Sequence, residues 1–262
     1  MRVRPAAVAG QFYPADPVAL AASVNALLAA APAGGGRPTA VIAPHAGYPY
    51  SGAVAGAAYA RLAACRGEVR RVVVLGPAHY VRLSGMAVPR VDVFATPLGP
   101  VAVDLEARRT ALDLPAVVVS DRPHAPEHAI ETQLPFLLHA LGPRITLLPV
   151  LVGATPPEAV VELLAALLTG PQTVAVVSTD LSHYLDRDRA RLRDTRTAAA
   201  ILARDGAALR PADACGHHPL RGLLRYAADR TLDVELLRLA TSADTGADPG
   251  RVVGYGAFAL IA

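Results

Sequence analysis

The stretch RVVVLGPAHY, residues 71–80, contains the pattern that decides the fold of this chain. Its four consecutive apolar residues, Val72–Leu75, are mostly β-branched and are too few for a helix, which favours a short strand buried on both faces. A glycine and a proline then end the strand, and His79 follows in the loop. A buried strand with a polar residue at its carboxyl end is typical of a parallel sheet in an α/β protein.

On both sides of this stretch, apolar strands alternate with helical segments along the whole chain. The pattern predicts strands at 39–43, 71–75, 85–88, 91–95, 116–120, 145–152, 173–178, 234–241 and 252–261. It predicts helices at 16–31, 51–64, 104–112, 127–140, 156–168, 188–204 and 219–229, with Asp16, Ser51 and Asp104 as N-caps and Pro135 bending its helix. Such alternation indicates a three-layer α/β/α fold with a central, mostly parallel (mixed) sheet, whose last two strands are antiparallel additions. We expect a single domain over residues 1–262.

The composition excludes several classes of function. All 25 basic residues are arginines, so neither a Schiff-base lysine nor a phosphate-binding P-loop is possible. The formal net charge is only +3 and the arginines are dispersed, which argues against nucleic-acid binding. No unbroken apolar run reaches the roughly 18 residues of a membrane span. Two cysteines make no disulfide framework and the first residues contain no signal-peptide core, so we expect a cytoplasmic protein.

Polar residues follow three of the predicted strands at the point where each strand ends. His45 follows VIAP, His79 follows VVVLGPA, and Asp180 and His183 follow TVAVVST. Ligands of open α/β sheets bind outside the carboxyl ends of the strands, and neutral imidazole is the commonest protein ligand of metals. A single histidine in such a place is more often a hydrogen-bonded loop residue, but three at one sheet edge favour a metal site.

Two further segments carry candidate site residues. The segment HAPEHAIE, residues 124–131, places Glu127, His128 and Glu131 at the start of a helix, where they either complement the helix dipole or orient metal-bound imidazoles. The segment DACGHHP, residues 213–219, holds Cys215 before another helix. A thiol near a helix N-terminus is expected to have a lowered pKa, which favours thiolate ligation of a metal.

The motifs at these positions resemble those of the Memo family, which includes the bacterial proteins called AmmeMemoRadiSam system protein B. The matching pieces cover nearly the whole chain and are PHAGYPYSG (44–52), LGPAHY (75–80), TPLGPVAVD (96–104), EHAIETQLPFL (127–137), LPVLVG (148–153), STDLSHY (178–184), ACGHHPL (214–220) and TSADTGADPGRVVGYGA (241–257). The resemblance implies a fold similar to that of the class III extradiol dioxygenases, which are non-haem iron enzymes.

Carried over by motif, the resemblance implies a metal held by His45, His79 and Cys215. It gives His183 the place of an acid–base histidine with Asp180 beside it, and His128 and Glu131 would support the site. A thiolate in place of the dioxygenase carboxylate departs from the usual Fe(II) facial arrangement. Fe(II) is the expected metal, and Cu or Zn would also suit this softer set of ligands.

Three functions are compatible with this site. The first is a non-haem iron (or copper) oxidoreductase, and the second is a non-catalytic metal- or peptide-binding protein. The system name suggests a radical-SAM enzyme and an AMMECR-type protein as partners. The third is a zinc hydrolase with His183 or Glu131 as its base. A small-molecule or peptide ligand would occupy the strand-end pocket, and its candidate lining residues, which could equally pack beneath the loops, are Tyr48, Tyr80, Tyr184 and His218.

Overall fold

A central sheet with helices on both faces forms the fold. The structure is a computed structural model that describes residues 1–32 and 34–262. Twelve strands are found in these residues: β1 (Val3–Arg4), β2 (Pro38–Ala43), β3 (Arg71–Pro77), β4 (Met86–Val88), β5 (Val93–Phe94), β6 (Val101–Val103), β7 (Val117–Val119), β8 (Thr146–Val152), β9 (Thr173–Ser178), β10 (His183–Leu185), β11 (Asp233–Thr241) and β12 (Val252–Ile261). The helices are α1 (Pro17–Ala29), α2 (Tyr48–Ala63), α3 (Leu105–Leu112), α4 (His128–Glu131), α5 (Leu134–Leu141), α6 (Pro157–Leu167), α7 (Arg187–Leu202) and α8 (His217–Asp229), with 3₁₀ turns at Gly206–Ala208 and Ser242–Thr245.

The strands most important for the site are the parallel neighbours β8, β3, β9 and β2, in that order. Val73 of β3 lies opposite Ala175 of β9, and Ala43 of β2 lies opposite Ser178 at the end of β9. The carboxyl ends of β3, β9 and β2 therefore meet at one edge of the sheet. The predicted antiparallel addition is confirmed, because β12 pairs antiparallel with both β2 and β11.

The two faces of the sheet carry separate apolar layers. In β3, Val72 and Val74 pack with the layer that contains α1, α2 and α5. The alternate residues Val73 and Leu75 pack with the layer that contains α3, α6, α7 and α8. Successive side chains of a strand point to opposite faces, so a strand that is apolar throughout fills both layers. The three-layer α/β/α prediction is confirmed.

The predicted ends of the helices are partly correct. Asp16 and Asp104 are N-caps whose carboxylates accept from Ala19 N and Ala107 N. The N-cap prediction for Ser51 is wrong: α2 begins at Tyr48, three residues earlier, and the Ser51 hydroxyl donates to the carbonyl of Ala46.

The segment predicted as one bent helix over 127–140 is two helices, α4 and α5, separated by Thr132 and Gln133. Pro135 has no N–H to donate to the carbonyl four residues earlier, and it lies in the first turn of α5, where no such donor is required. The break turns the Gln133 side chain into the interior, where it is fully buried.

The hydrophobic composition of the chain is not concentrated in a membrane span. Over the described residues, every helix is too short or too polar to cross a membrane. The apolar residues lie instead in the two layers that cover the sheet.

Candidate metal centre

Three histidines converge at the carboxyl edge of the sheet. His45 follows β2, His79 follows β3, and His128 is the first residue of α4. One ring nitrogen of each lies within 4.8 Å of the corresponding nitrogens of the other two. The rings of His79 and His128 stack with centroids 4.7 Å apart, and the His45 ring meets both edge-on at 5.1 and 5.3 Å. Three imidazoles at these separations are able to hold one metal ion.

Glu127 orients His79. Its Oε1 lies 2.8 Å from His79 Nδ1, and its Oε2 accepts the backbone N–H of His79 at 2.6 Å. Because a carboxylate only accepts, His79 Nδ1 donates this hydrogen bond, and Nε2 is the ring nitrogen left for another partner. Burial acts to raise the pKa of Glu127, but the hydrogen bonds and charge of His79 together with the Ala129 N–H lower it to about 2, so this acceptor stays ionised. A metal-binding histidine usually donates a hydrogen bond from its second ring nitrogen to a carboxylate or a carbonyl, which fixes the orientation of the ring.

Cys215 and Asp180 also contact His45. The Cys215 sulfur is 3.3 Å from His45 Nε2, and it accepts the backbone N–H of Asp180 at 3.3 Å. The Asp180 carboxylate accepts the backbone N–H of His45 at 2.8 Å, and its second oxygen is 4.0 Å from His45 Nε2. These contacts bring the loops after β2 and β9 together with the turn that precedes α8.

Burial controls the charges of this cluster. It lowers the pKa of His45 to about 3 and that of His128 to about 4, with neighbouring imidazoles contributing in the same direction. Both rings are therefore neutral near pH 7, which is the state that binds metals. Burial also raises the pKa of the Asp180 carboxyl above its ordinary value.

The expected lowering of the Cys215 pKa is wrong. Burial and the nearby Asp180 carboxylate raise the pKa of this thiol to about 12, despite hydrogen bonds to the sulfur that act in the opposite direction. Helix α8 begins at His217, two residues later, so the helix dipole does not overcome the cost of a buried negative charge. A metal that binds this sulfur must displace its proton.

His183 lies beside the cluster rather than within the group of three. Its Nδ1 is 2.8 Å from the carbonyl of Leu181, which only accepts, so Nδ1 donates this hydrogen bond and Nε2 is the ring nitrogen left for another partner. His183 is close enough for its charge to influence the pKa of both His45 and Asp180. The arrangement is compatible with the acid–base role predicted for this pair, and that role stays a prediction.

Glu131 faces away from the three histidines and binds the N-terminal segment instead. Its carboxylate pairs with Arg4 at 2.6 Å and accepts from the backbone N–H groups of Ala7 and Val8 and from the hydroxyl of Tyr13. Glu131 and Arg4 are both buried. Any support that Glu131 gives the site therefore acts through the N-terminal segment.

The four residues predicted to line a pocket lie in different surroundings. The Tyr80 hydroxyl is 3.3 Å from His128 Nδ1 and its side chain is 56% exposed, so it stands at the rim of the cluster. Tyr48 is buried in the core, and its hydroxyl donates to the carbonyl of Thr132. Tyr184 is 65% exposed beneath the guanidinium of Arg251. His218 Nδ1 lies 3.2 Å from the carbonyl of Thr155.

Sequence reasoning assigned no role to three residues that contact the cluster. Phe12 packs on the His128 ring at a centroid distance of 4.7 Å. Ser178 Oγ lies 2.8 Å from His45 Nδ1, and Gln133 Nε2 donates to that same oxygen. Ser178 is the last residue of β9 and lies directly before the Thr179–Asp180 loop. A polar residue at the end of a buried strand is the sequence feature that could have indicated its contact with the cluster. Phe12 has no such signal because its contact joins residues 116 positions apart in the chain.

Three histidines converge at the carboxyl edge of the parallel strands, with a carboxylate beside one and a thiol beside another, and this arrangement defines a candidate metal-binding protein. A family model described as Memo-like protein matches residues 4–259. The chain therefore belongs to the Memo-like family.

Relatives of similar length support the same assignment. A MEMO1 family protein of Methanopyrus kandleri is 35% identical over 277 residues, which cover 97% of each chain. One of Methanosarcina mazei is 35% identical over 272 residues, or 98% of each chain, and one of Sulfolobus acidocaldarius is 32% identical over 279 residues, or 97% of each.

Proposed function

We propose that this protein binds a transition metal through His45, His79 and Cys215, with His128 beside them, and uses it as an oxidoreductase. The observation that carries the proposal is the convergence of one ring nitrogen each from His45, His79 and His128 within 4.8 Å, a group that does not include the Cys215 sulfur. The carboxylate behind His79 adds support, since it leaves Nε2 of that ring free. Both His45 and His128 are held neutral by burial, so protons compete little for their nitrogens near pH 7.

The thiol completes the proposed ligand set. Typical metal–nitrogen and metal–sulfur bonds of about 2.0 and 2.3 Å at a tetrahedral angle separate the two ligand atoms by about 3.5 Å. The observed separation of 3.3 Å between Cys215 Sγ and His45 Nε2 is close to that value. Imidazole with thiolate suits Fe(II), Cu and Zn, and we propose Fe(II) as the resident metal.

The side chains around the proposed ligands suit proton transfer. When bound, Fe(II) with open coordination positions would supply a place for oxygen and an organic substrate. His183, protonated at Nδ1, accepts a proton at Nε2 in this proposal and later returns it. The buried Asp180 carboxyl group lies beside His45 and within electrostatic reach of His183.

Metal titration of anaerobically prepared protein tests the proposal. We expect one Fe(II) or Co(II) per chain in the wild type, and strongly weakened binding in His45→Ala and His79→Ala. His139→Ala is the matched control, because His139 lies in α5 outside the cluster and its loss should leave binding unchanged. No stoichiometric binding by the wild type, or undiminished binding in both cluster variants, contradicts the proposal.

A spectrum of the Co(II) form identifies the third ligand. A thiolate ligand adds a sulfur-to-cobalt charge-transfer band in the near ultraviolet, and we expect Cys215→Ala to remove it while His128→Ala retains it. Oxygen consumption by the Fe(II) form with candidate organic substrates then tests the oxidoreductase activity. Tight metal binding without oxygen consumption, or a native preparation that contains zinc alone, would favour a metal-carrying or hydrolytic role instead.

A further inference from the structure

His45 and His79 differ in the group that lies within hydrogen-bond distance of their Nδ1 atoms. His79 has a carboxylate at its Nδ1, whereas His45 has the neutral hydroxyl of Ser178. We infer that Ser178 is a positioning residue whose hydroxyl holds His45 in the tautomer protonated at Nδ1 and so presents the Nε2 lone pair to the metal. The inference rests on the proposed metal-binding function, and it concerns residues to which neither the motifs nor the family description gives a role.

The direction of the Ser178 hydroxyl follows from the atom it faces. Ser178 Oγ lies 2.6 Å from the carbonyl oxygen of Ala129 in α4. A carbonyl oxygen can only accept a hydrogen bond, and a serine hydroxyl has a single proton to give. That proton is therefore committed to Ala129, and only the lone pairs of Ser178 Oγ remain for its other neighbours.

Gln133 occupies one of those lone pairs. Its side-chain nitrogen lies 2.9 Å from the carbonyl of Pro44, which again only accepts, so the orientation of the amide is determined. The second N–H of the same nitrogen donates to Ser178 Oγ at 2.9 Å. The amide oxygen accepts from the hydroxyl of Tyr59 at 2.6 Å, which completes the hydrogen bonding of this buried side chain.

His45 must occupy the remaining lone pair as a donor. Its Nδ1 is 2.8 Å from Ser178 Oγ, whose proton already points to Ala129. The other tautomer would set a nitrogen lone pair against an oxygen lone pair in a site where Ser178 is fully buried and His45 is 2% exposed. A buried polar atom without a partner is costly because no water replaces the lost bond. The proton therefore resides on Nδ1.

The free nitrogen of His45 points to the proposed metal position. Nε2 lies 3.3 Å from Cys215 Sγ, on the side of the ring that faces the proposed ligands. The partner of one imidazole nitrogen decides which nitrogen is available to a metal. The Ser178 hydroxyl, whose proton is committed to Ala129, thus performs for His45 the task that Glu127 performs for His79.

Nitrogen NMR of metal-free protein labelled with ¹⁵N-histidine tests the inference directly. Long-range ¹H–¹⁵N correlations at pH 7 separate a protonated ring nitrogen from one with a free lone pair, and signal loss in His45→Ala assigns the ring. We expect the wild type to show His45 protonated at Nδ1. Protonation at Nε2 in the wild type overturns the inference without the need for any variant.

The variant Ser178→Ala should convert the His45 signals to a mixture of tautomers or to the Nε2-protonated form. Its Kd for Co(II) should rise roughly 10–100-fold, as for the loss of other groups that orient a metal ligand. Tyr59→Phe is the matched control, because it removes a buried hydroxyl that contacts neither His45 nor Ser178 and leaves the hydrogen bond from Ser178 to Ala129 intact. It should leave both the tautomer and the Kd for Co(II) unchanged.

The outcomes separate this inference from the proposed function. A wild type with the Nδ1-protonated ring but no metal binding refutes the proposed function and leaves the hydrogen-bond argument standing. Tight metal binding together with an unchanged tautomer in Ser178→Ala refutes the role of Ser178 and leaves the metal site standing.

Discussion

The buried pair of Arg4 and Glu131 allows a quantitative prediction of stability. The Glu131 carboxylate accepts four hydrogen bonds, two at each oxygen, with lengths of 2.6–3.0 Å. The substitution Glu131→Gln keeps the size of the side chain but removes its charge and turns one acceptor into a donor. Arg4 would then remain buried at 3% exposure without an ionic partner.

Removing one partner of a buried ion pair costs about 3–5 kcal/mol, since the remaining charge stays out of water. The new amide N–H₂ also faces an existing donor, which costs about 1–3 kcal/mol unless the segment shifts. We therefore expect Glu131→Gln to lower the free energy of unfolding by about 4–8 kcal/mol. This is a large part of the about 5–15 kcal/mol that stabilises a typical domain.

Urea denaturation followed by circular dichroism measures this change through the midpoint of the transition. Glu106→Gln is the matched control, because Glu106 pairs with Arg71 at 2.9 Å but is 73% exposed in its side chain. An exposed pair is worth about 0–1 kcal/mol, so the control should remain close to wild type. If Glu131→Gln costs less than about 1 kcal/mol, the buried pair does not stabilise the attachment of the N-terminal segment as argued.

Three further predictions concern protonation and metal affinity. Burial lowers the pKa values of His45, His124 and His128 to about 3, 4 and 4. When the pH falls from 7 to 5, these histidines therefore take up protons in the unfolded chain but not in the folded chain. Each histidine should then lower the free energy of unfolding by about 2 kcal/mol. Urea midpoints at the two pH values measure this, and a total loss under about 2 kcal/mol contradicts it. Glu127→Gln should weaken Co(II) binding roughly 10–100-fold in a competition titration, because the carboxylate would no longer hold the proton of His79 on Nδ1. Unchanged affinity would refute the role of Glu127 in orienting His79. Because the Cys215 pKa is raised to about 12, Zn(II) binding should release one proton near pH 7, and its affinity should increase as the pH rises. Calorimetry in buffers of different ionisation enthalpy counts the protons released. If Cys215→Ala releases as many protons as the wild type, the thiolate is not a ligand.

Much of the strand and helix pattern was predictable because it depends on local chemistry. The strand over 173–178 and the strand over 252–261 have the predicted bounds, since both are apolar runs flanked by polar or turn residues. The start of α2 was not predictable from Ser51, because Pro49 allows the helix to begin earlier and the hydroxyl binds a loop carbonyl instead. The break between α4 and α5 depends on Gln133, whose side-chain partners come from three separate segments.

The residues of the candidate site likewise divide into those that the sequence predicts and those that it does not. A histidine or aspartate directly after a buried strand is visible in the sequence, and His45, His79 and Asp180 are of this kind. The place of His128 within the cluster was not visible, because it depends on how α4 packs against the end of β3. The raised pKa of Cys215 was missed for a related reason: its surroundings come from the loop after β9, which the sequence near Cys215 does not contain.

We can predict the α/β class, the family motifs and the strand-end histidines from the sequence, because these follow from the order of apolar and polar residues along a short stretch of chain. Only the tertiary structure decided which strands are neighbours, and thereby that β3, β9 and β2 bring their loops to one point. It also decided the charge and tautomer of each group there, because burial and hydrogen-bond partners depend on segments far apart in the chain. His45 combines both: its position after β2 is a local property, and the proton on its Nδ1 depends on Ser178, which lies 133 residues away.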